Sequence, residues 1–404
     1  MFARIAGDCT TTFTTVGPVR TIMVTTITAG RLAELIDEDA DFALVDTRPE
    51  DSYESWHVPG AKHFPFGPEE DLEADGQLEA FDDAVGDTDH VITICAKGIS
   101  SGNLATQLES ATDEYAVQAV GGGMKAWSGV YDHAQIDVDG DVRIVQVQRR
   151  AKGCLGYVVG CERTGEAVVV DPTADTDEYV VAAEEADLSI VGVVDTHVHA
   201  DHVSGGRELA DDLEVPYYLG ELAADRDVEL EFTPLERNEV LEVGERECKS
   251  LYAPGHTSDM INLLVDDQAL LTADTLHADS TGRTELEFSE DAGQEGAEML
   301  YETIHRTILT EPESVVVLPG HVTVTAEGEF SHGSPGEPIT TTIRAARTGI
   351  DLLSLEREDF VDRMADAGEK PANYEKIIDR NRGDLKIVPE ERVELEMGPN
   401  NCSA

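Results

Sequence analysis

Three imidazoles and a carboxylate fall within six residues in the run Thr196-His197-Val198-His199-Ala200-Asp201-His202. Neutral imidazole nitrogen and carboxylate oxygen are ligands for zinc or iron, so this run is a candidate metal-binding loop. Three later segments offer further donors: Pro254-Gly255-His256-Thr257, Leu270-Leu271-Thr272-Ala273-Asp274-Thr275 and Val315-Val316-Val317-Leu318-Pro319-Gly320-His321. A separate candidate is a thiol. His90-Val91-Ile92-Thr93-Ile94-Cys95 reads as a strand that carries its cysteine to the C-terminal end. Ala96-Lys97-Gly98-Ile99-Ser100-Ser101 then turns towards a helix through Leu104 and Leu108. A thiolate at such a turn faces loop amides and a helix N-terminus, which lower its pKa. The same amides can hold a persulfide or an oxyanion.

These residues need strand ends to position them. Ile190-Val191-Gly192-Val193-Val194-Asp195 is an apolar run read as a buried strand, and Arg207-Glu208-Leu209-Ala210 after Gly205-Gly206 reads as the start of a helix. His197, His199, Asp201, His202, His256, Asp274 and His321 are thus expected on four strand-end loops, where α/β scaffolds place chemistry. Upstream, Thr28 to Ile36 reads as a capped amphipathic helix and Phe42-Ala43-Leu44-Val45-Asp46 as a buried strand. Together with the Cys95 strand these elements imply a parallel α/β sheet. Asp137 to Asp141 is read as an acidic linker, and Arg143-Ile144-Val145-Gln146-Val147 opens a second unit. Cys154 to Val159 and Ala167 to Pro172 read as a strand pair, with Cys154 and Cys161 as core and turn residues. Helices are expected over 178–187, 299–309 and 339–355.

The set and order of His197, His199, Asp201, His202, His256, Asp274 and His321 resemble the metallo-β-lactamase superfamily, in its glyoxalase II-like branch, over residues 143–335. That resemblance implies an αββα sandwich with a metal site at one edge. Residues 24–135 resemble a rhodanese domain, through Asp46-Thr47-Arg48, His57-Val58-Pro59-Gly60-Ala61, Cys95 with its loop, and Gly121 through Trp127. This implies that Cys95 is the sulfur-carrying nucleophile. Rhodanese loops often carry arginine where Ser100 stands here, leaving Lys97 as the loop's cation. Residues 336–404, with Lys370-Pro371-Ala372-Asn373-Tyr374-Glu375-Lys376-Ile377-Ile378 and Asn381-Arg382-Gly383, resemble the tail of persulfide dioxygenases and are expected to form a helical lid or a homo-oligomer contact. The Gly282-Arg283-Thr284 element recurs in glyoxalase II-like proteins and persulfide dioxygenases. It makes Arg283 a candidate to bind a substrate carboxylate, to orient a metal-site loop, or to form a plain surface ion pair.

Two chemistries follow from these resemblances. In the first, His197, His256 and Asp274 hold one Fe(II) as a two-histidine, one-carboxylate triad open to a thiol persulfide and O2. His199, Asp201, His202 and His321 then position substrate and ligands, and Cys95 exchanges sulfane sulfur with persulfide, sulfite or thiosulfate. In the second, all seven residues hold two Zn(II) ions for thioester hydrolysis. A non-catalytic sulfur carrier is a third class. The fused sulfur-transfer domain favours the first.

The chain has 83 acidic and 29 basic residues, a formal net charge of −54, yet 41% hydrophobic residues, enough for packed cores. Such a balance points to a folded protein of a high-salt cytoplasm and against nucleic-acid binding. No two of the six cysteines form a CxxC pair, and no apolar run reaches transmembrane length. Met23 directly precedes a good domain start. Residues 1–22 are therefore expected to be a disordered leader or to lie ahead of the true start.

Overall fold

A computed structural model describes residues 24–74, 76–287, 293–364, 370, 373–386 and 388–398. The leader 1–22 and Cys9 and Cys402 lie outside the described residues.

The N-terminal unit is a parallel sheet of five strands, in the order Thr25–Ile27, Ala116–Val120, His90–Ile94, Ala43–Asp46, Lys62–His63. Both faces are covered, which is why its central strands are mostly apolar and their polar members Asp46 and Thr93 are buried. Ile92 and Ile94 pack on one face with Leu32, Trp56 and Trp127, and Val91 packs on the other with Phe81, Leu104 and Leu108. The first helix, Ala29–Asp37, is capped as expected, with the Thr28 hydroxyl accepting from Arg31 N at 3.0 Å.

The second unit is a sandwich of two sheets. A seven-stranded sheet runs Thr233–Leu235, Tyr217–Gly220, Ser189–Val194, Glu166–Val170, Cys154–Cys161, Val142–Arg149, Tyr131–Ile136. A six-stranded sheet runs Val240–Val243, Arg246–Tyr252, Ile261–Val265, Ala269–Ala273, Val316–Pro319, Thr341–Thr342. Their inner faces meet in one apolar core that includes Ile144, Val159, Val168, Leu263, Leu271 and Leu318. Helices Asp177–Glu185 and Gly206–Leu213 cover the outside of the first sheet. Helices Gly293–Arg306, Ile343–Gly349 and Arg357–Met364 cover the outside of the second. This is the expected αββα arrangement behind a rhodanese-type parallel sheet.

Two local expectations differ from the structure. Residues 137–141 connect a hairpin, since Tyr131–Ile136 pairs antiparallel with Val142–Arg149 along its whole length and thereby joins the larger sheet. The helix expected over 339–355 is shorter. Within the β-branched run Ile339-Thr340-Thr341-Thr342, Thr341 and Thr342 pair instead with Val317 and Val316. Thr342 then caps the helix Ile343–Gly349 by accepting from Ala345 N at 3.1 Å.

Candidate functional site

The four segments singled out above do converge. Ser189–Val194, Arg246–Tyr252, Ala269–Ala273 and Val316–Pro319 end on the same edge of the sandwich, and their following loops deliver His197, His256, Asp274 and His321. His197, His199, Asp201, His202, His256, Asp274 and His321 are each at most 3% exposed.

Each imidazole is aimed by a bond from its other nitrogen. His256 Nδ1 donates to the Arg283 carbonyl at 2.6 Å, which points Nε2 at Asp274 Oδ2, 3.4 Å away. His197 Nδ1 lies 2.9 Å from the Thr196 hydroxyl, with Nε2 3.8 Å from the same carboxylate oxygen. Asp274 Oδ1 faces the other way, against His321 Nδ1 and against His277 Nε2 at 3.2 Å. His197 Nε2, His256 Nε2 and Asp274 Oδ2 are buried, lack a hydrogen-bond partner and lie within 4.8 Å of one another. Buried polar atoms are rarely left so, and two imidazole nitrogens around a carboxylate oxygen are a divalent-metal donor set. The metal implied by this fold therefore fits these three residues.

Electrostatics agree with that use. Burial, with His199 and His256 nearby, pushes His197 well below the usual histidine range, and burial also lowers His256. Both rings are thus neutral at neutral pH, the form in which an imidazole can bind a metal. Burial alone would raise Asp274, but His321 and His277 hold it well below the usual carboxylate range.

His199 is placed differently. Its Nε2 sits 3.1 Å from Asp171 Oδ1, and it groups with Asp171 and Asp195, outside the trio of His197, His256 and Asp274. Asp171 also accepts from Thr196 N at 2.7 Å and from the Thr196 hydroxyl at 2.9 Å. A second cluster stands beside the trio: Cys154, Asp201, His202 and His321. His202 Nδ1 and His321 Nε2 approach Asp201 Oδ2 at 2.9 and 2.8 Å, and Cys154 Sγ lies 3.8 Å from that oxygen. Burial opposes the Cys154 thiolate, but His202 and His321 bring its pKa down to about 6. Cys154 therefore belongs to the site edge and is more than a core residue. The backbone places it there, since Leu155 N donates to the Gly320 carbonyl at 2.8 Å, tying this strand end to the His321 loop.

Arg283 is fully buried, so the plain surface ion pair is ruled out. Its guanidinium pairs with Glu285 while its carbonyl aims His256. Asp259, unremarked in the sequence, accepts from Val198 N at 2.9 Å and from Arg226 Nη1 at 2.6 Å. It braces the histidine loop from below. His277 could have been noticed three residues after Asp274; Asp171 and Asp259 carry no comparable signal.

The thiol site lies in the other unit. Cys95 Sγ accepts from Gly98 N at 3.1 Å and from the Ser101 hydroxyl at 3.3 Å. Burial raises its pKa, but the Ser101 hydroxyl and the amides of Ser101, Lys97 and Gly98 more than offset this and lower it. A cavity of about 530 Å³ opens over it, lined by Thr47, Pro65, Phe66, Ile99 and Ser100 among others. Gly123 makes the turn possible. Its φ is +59°, and a Cβ there would sit 2.0 Å from the Cys95 carbonyl oxygen. The cations of this pocket are already engaged. Arg48 is held by Asp46 and the Trp56 carbonyl, and Lys97 Nζ pairs with Glu394 at 2.8 Å.

The rhodanese-like domain family matches residues 28–129, and the metallo-beta-lactamase superfamily matches residues 149–321. A hydroxyacylglutathione hydrolase of Rhodospirillum rubrum is 30% identical over 200 residues, 49% of this chain and 72% of that protein. The mitochondrial persulfide dioxygenase ETHE1 of Bos taurus is 29% identical over 216 residues, 52% of this chain and 74% of that protein. Among solved structures, ETHE1 from Myxococcus xanthus superposes with a TM-score of 0.51 at 22% identity, covering 62% of this chain and all of that one, a likeness of fold. Through residues 149–321 the chain belongs to the metallo-beta-lactamase superfamily, carried behind an N-terminal rhodanese-like domain.

Proposed function

We propose that the chain is a persulfide dioxygenase, which oxidises the outer sulfur of a small thiol persulfide to sulfite and exchanges sulfane sulfur through Cys95. The observation that carries this reading is the trio of His197 Nε2, His256 Nε2 and Asp274 Oδ2, three buried atoms without a hydrogen-bond partner, with His199 turned to Asp171. Two histidines and one carboxylate suit one ferrous ion, which when bound supplies open positions for O2 and the persulfide. The overall reaction balances as RSSH + O2 + H2O → RSH + SO3²⁻ + 2H⁺, four electrons passing from sulfur to oxygen.

The protein's own groups do the positioning. Arg283 O and Thr196 Oγ fix the two ring orientations, and His277 and His321 hold Asp274 ionised. The donor residues themselves are buried. At the second site the Cys95 thiolate attacks the outer sulfur of a persulfide. The S–S bond breaks, RS⁻ leaves, and the Gly98 and Ser101 donors remain on sulfur. In reverse, sulfite takes that outer sulfur as thiosulfate and frees the thiolate. Because Glu394 and Asp46 already engage Lys97 and Arg48, a small thiol persulfide suits the cavity as donor better than a dianion does.

The second reading is a glyoxalase II-like thioester hydrolase with two zinc ions. It is favoured by the adjacent cluster of Cys154, Asp201, His202 and His321 and by the hydrolase relative. Turnover assays with a glutathione-type persulfide and with a thioester, each on protein reconstituted with iron or zinc, separate the two. Persulfide-dependent O2 uptake with iron supports the proposal, and thioester hydrolysis with zinc alone overturns it.

A further inference from the structure

The C-terminal segment has no evident chemistry in the sequence, yet it bonds the histidine loop at four backbone groups, those of His199, His202, Val203 and Ser204. Helix Tyr374–Arg382 lies over the loop, with Ile378 packed on Val198, Ala200 and Leu286. From this helix Asn381 Nδ2 donates to the carbonyls of His199 at 2.9 Å and His202 at 2.8 Å, and Asn381 Oδ1 accepts from Ser204 N at 3.0 Å. All of its amide capacity on this side is thus used on one loop. Further along, Glu396 is 3% exposed, and one of its oxygens accepts from Val203 N. The other accepts from Arg149 Nη1 at 3.0 Å, inside a buried pair.

The loop needs such support. Residues 197–204 belong to no helix or strand, and a single bridge, Ser204 to Thr173, ties their backbone to a neighbour in sheet fashion. They carry His197, His199, Asp201 and His202, and ligand geometry is sensitive to the groups that orient it. Carbonyls left unpaired in this buried position would bear the full cost of their desolvation. An asparagine matches the need because it alone offers two donors and an acceptor on one short planar group.

We propose that Asn381, assisted by Glu396, is the positioning residue of the metal loop, so that the C-terminal segment is a working part of the metal site. The inference rests on the metal reading above and applies equally to iron and zinc. Its test uses the full chain and cobalt(II) as a spectroscopic probe, with affinity and ligand-field absorption as readouts. Asn381→Ala is expected to weaken cobalt binding about 10- to 100-fold and to alter the visible spectrum. Asn381→Ser, whose hydroxyl can serve one carbonyl, is expected to fall between. Lys376→Ala, exposed on the same helix, is expected to bind as the unaltered protein does. Far-UV circular dichroism and a cooperative thermal melt report that the fold of both units is intact in each variant. Should Asn381→Ala keep the unaltered affinity and spectrum, the proposal is overturned. An equal loss in Lys376→Ala would also overturn it, since the segment would then act only by bulk packing. If the unaltered chain binds no cobalt, the metal reading itself fails and takes this inference with it.

Discussion

Gly282 offers a sharp test of how tightly the metal site is built. A Cβ at this position would lie 2.0 Å from the Asp274 carbonyl oxygen, 3.0 Å from its carbon and 3.1 Å from the Asp274 Cβ. Ordinary contact begins at 3.4 Å, so Gly282→Ala forces one of the two backbones to yield by about 1.4 Å. Asp274 is pinned by the His321 and His277 bonds on one oxygen and follows directly from the strand Ala269–Ala273. The displacement therefore passes to the carboxylate that faces His197 and His256. Overpacking of this kind costs roughly 1–3 kcal/mol of stability, and a displacement near 1 Å at a reacting group costs about 100-fold in rate. The assays are chemical denaturation, metal content after dialysis, and persulfide-dependent O2 uptake, with Cys95 alkylation as a control in the same chain. We expect metal retention and O2 uptake to fall together while alkylation is unchanged. A Gly282→Ala protein with unaltered metal retention and turnover would refute the reasoning, because the close approach would then be of no consequence.

Other perturbations address the remaining parts. The Cys95 thiol is held below its ordinary value, so its alkylation rate should rise with pH to a midpoint lower than that of free cysteine. Ser101→Ala should move that midpoint upward; a midpoint at or above the free value counts against the hydrogen-bonded thiolate. Cys95→Ser should abolish thiosulfate formation and leave persulfide-dependent O2 uptake largely intact, whereas His256→Ala should stop O2 uptake and leave Cys95 able to accept sulfane sulfur; loss of O2 uptake on a directly supplied small persulfide in Cys95→Ser would mean that the sites are not separable. The net charge of −54 should make the fold salt-dependent, since repulsion among carboxylates is screened at about 1 M salt, where the Debye length is about 3 Å. A melting temperature that does not rise across a salt series would contradict this.

The sequence reveals some of these features because they depend on local pattern. Apolar runs that end in a polar residue mark His197, Asp274 and His321 as strand-end groups, and the strands lie where those runs do. Cys95 is legible for the same reason. The braces are not legible, because each is a lone polar residue whose meaning comes from a partner far along the chain. Asp171 reaches Thr196, Asp259 reaches Val198, and Glu396 reaches Val203 across 193 residues. Cys154 reads as a small apolar strand residue until the pairing of Leu155 with Gly320 carries it to the site edge. Tyr131–Ile136 alternates too weakly to announce a strand, and it is the long antiparallel register with Val142–Arg149 that draws it into the second sheet. Lys97 illustrates the converse: its position was evident from the loop, but its pairing with Glu394 required the folded C-terminal segment.

The central claim is that His197, His256 and Asp274 form a single iron site for persulfide oxidation. The most direct measurement is elemental analysis of protein purified without oxygen, coupled to O2 uptake on a small thiol persulfide. A single iron site predicts about one iron per chain, O2 consumed in step with sulfite formed, and loss of both metal and uptake in Asp274→Ala. Two tightly held zinc ions, with thioester turnover and no O2 uptake, would contradict it.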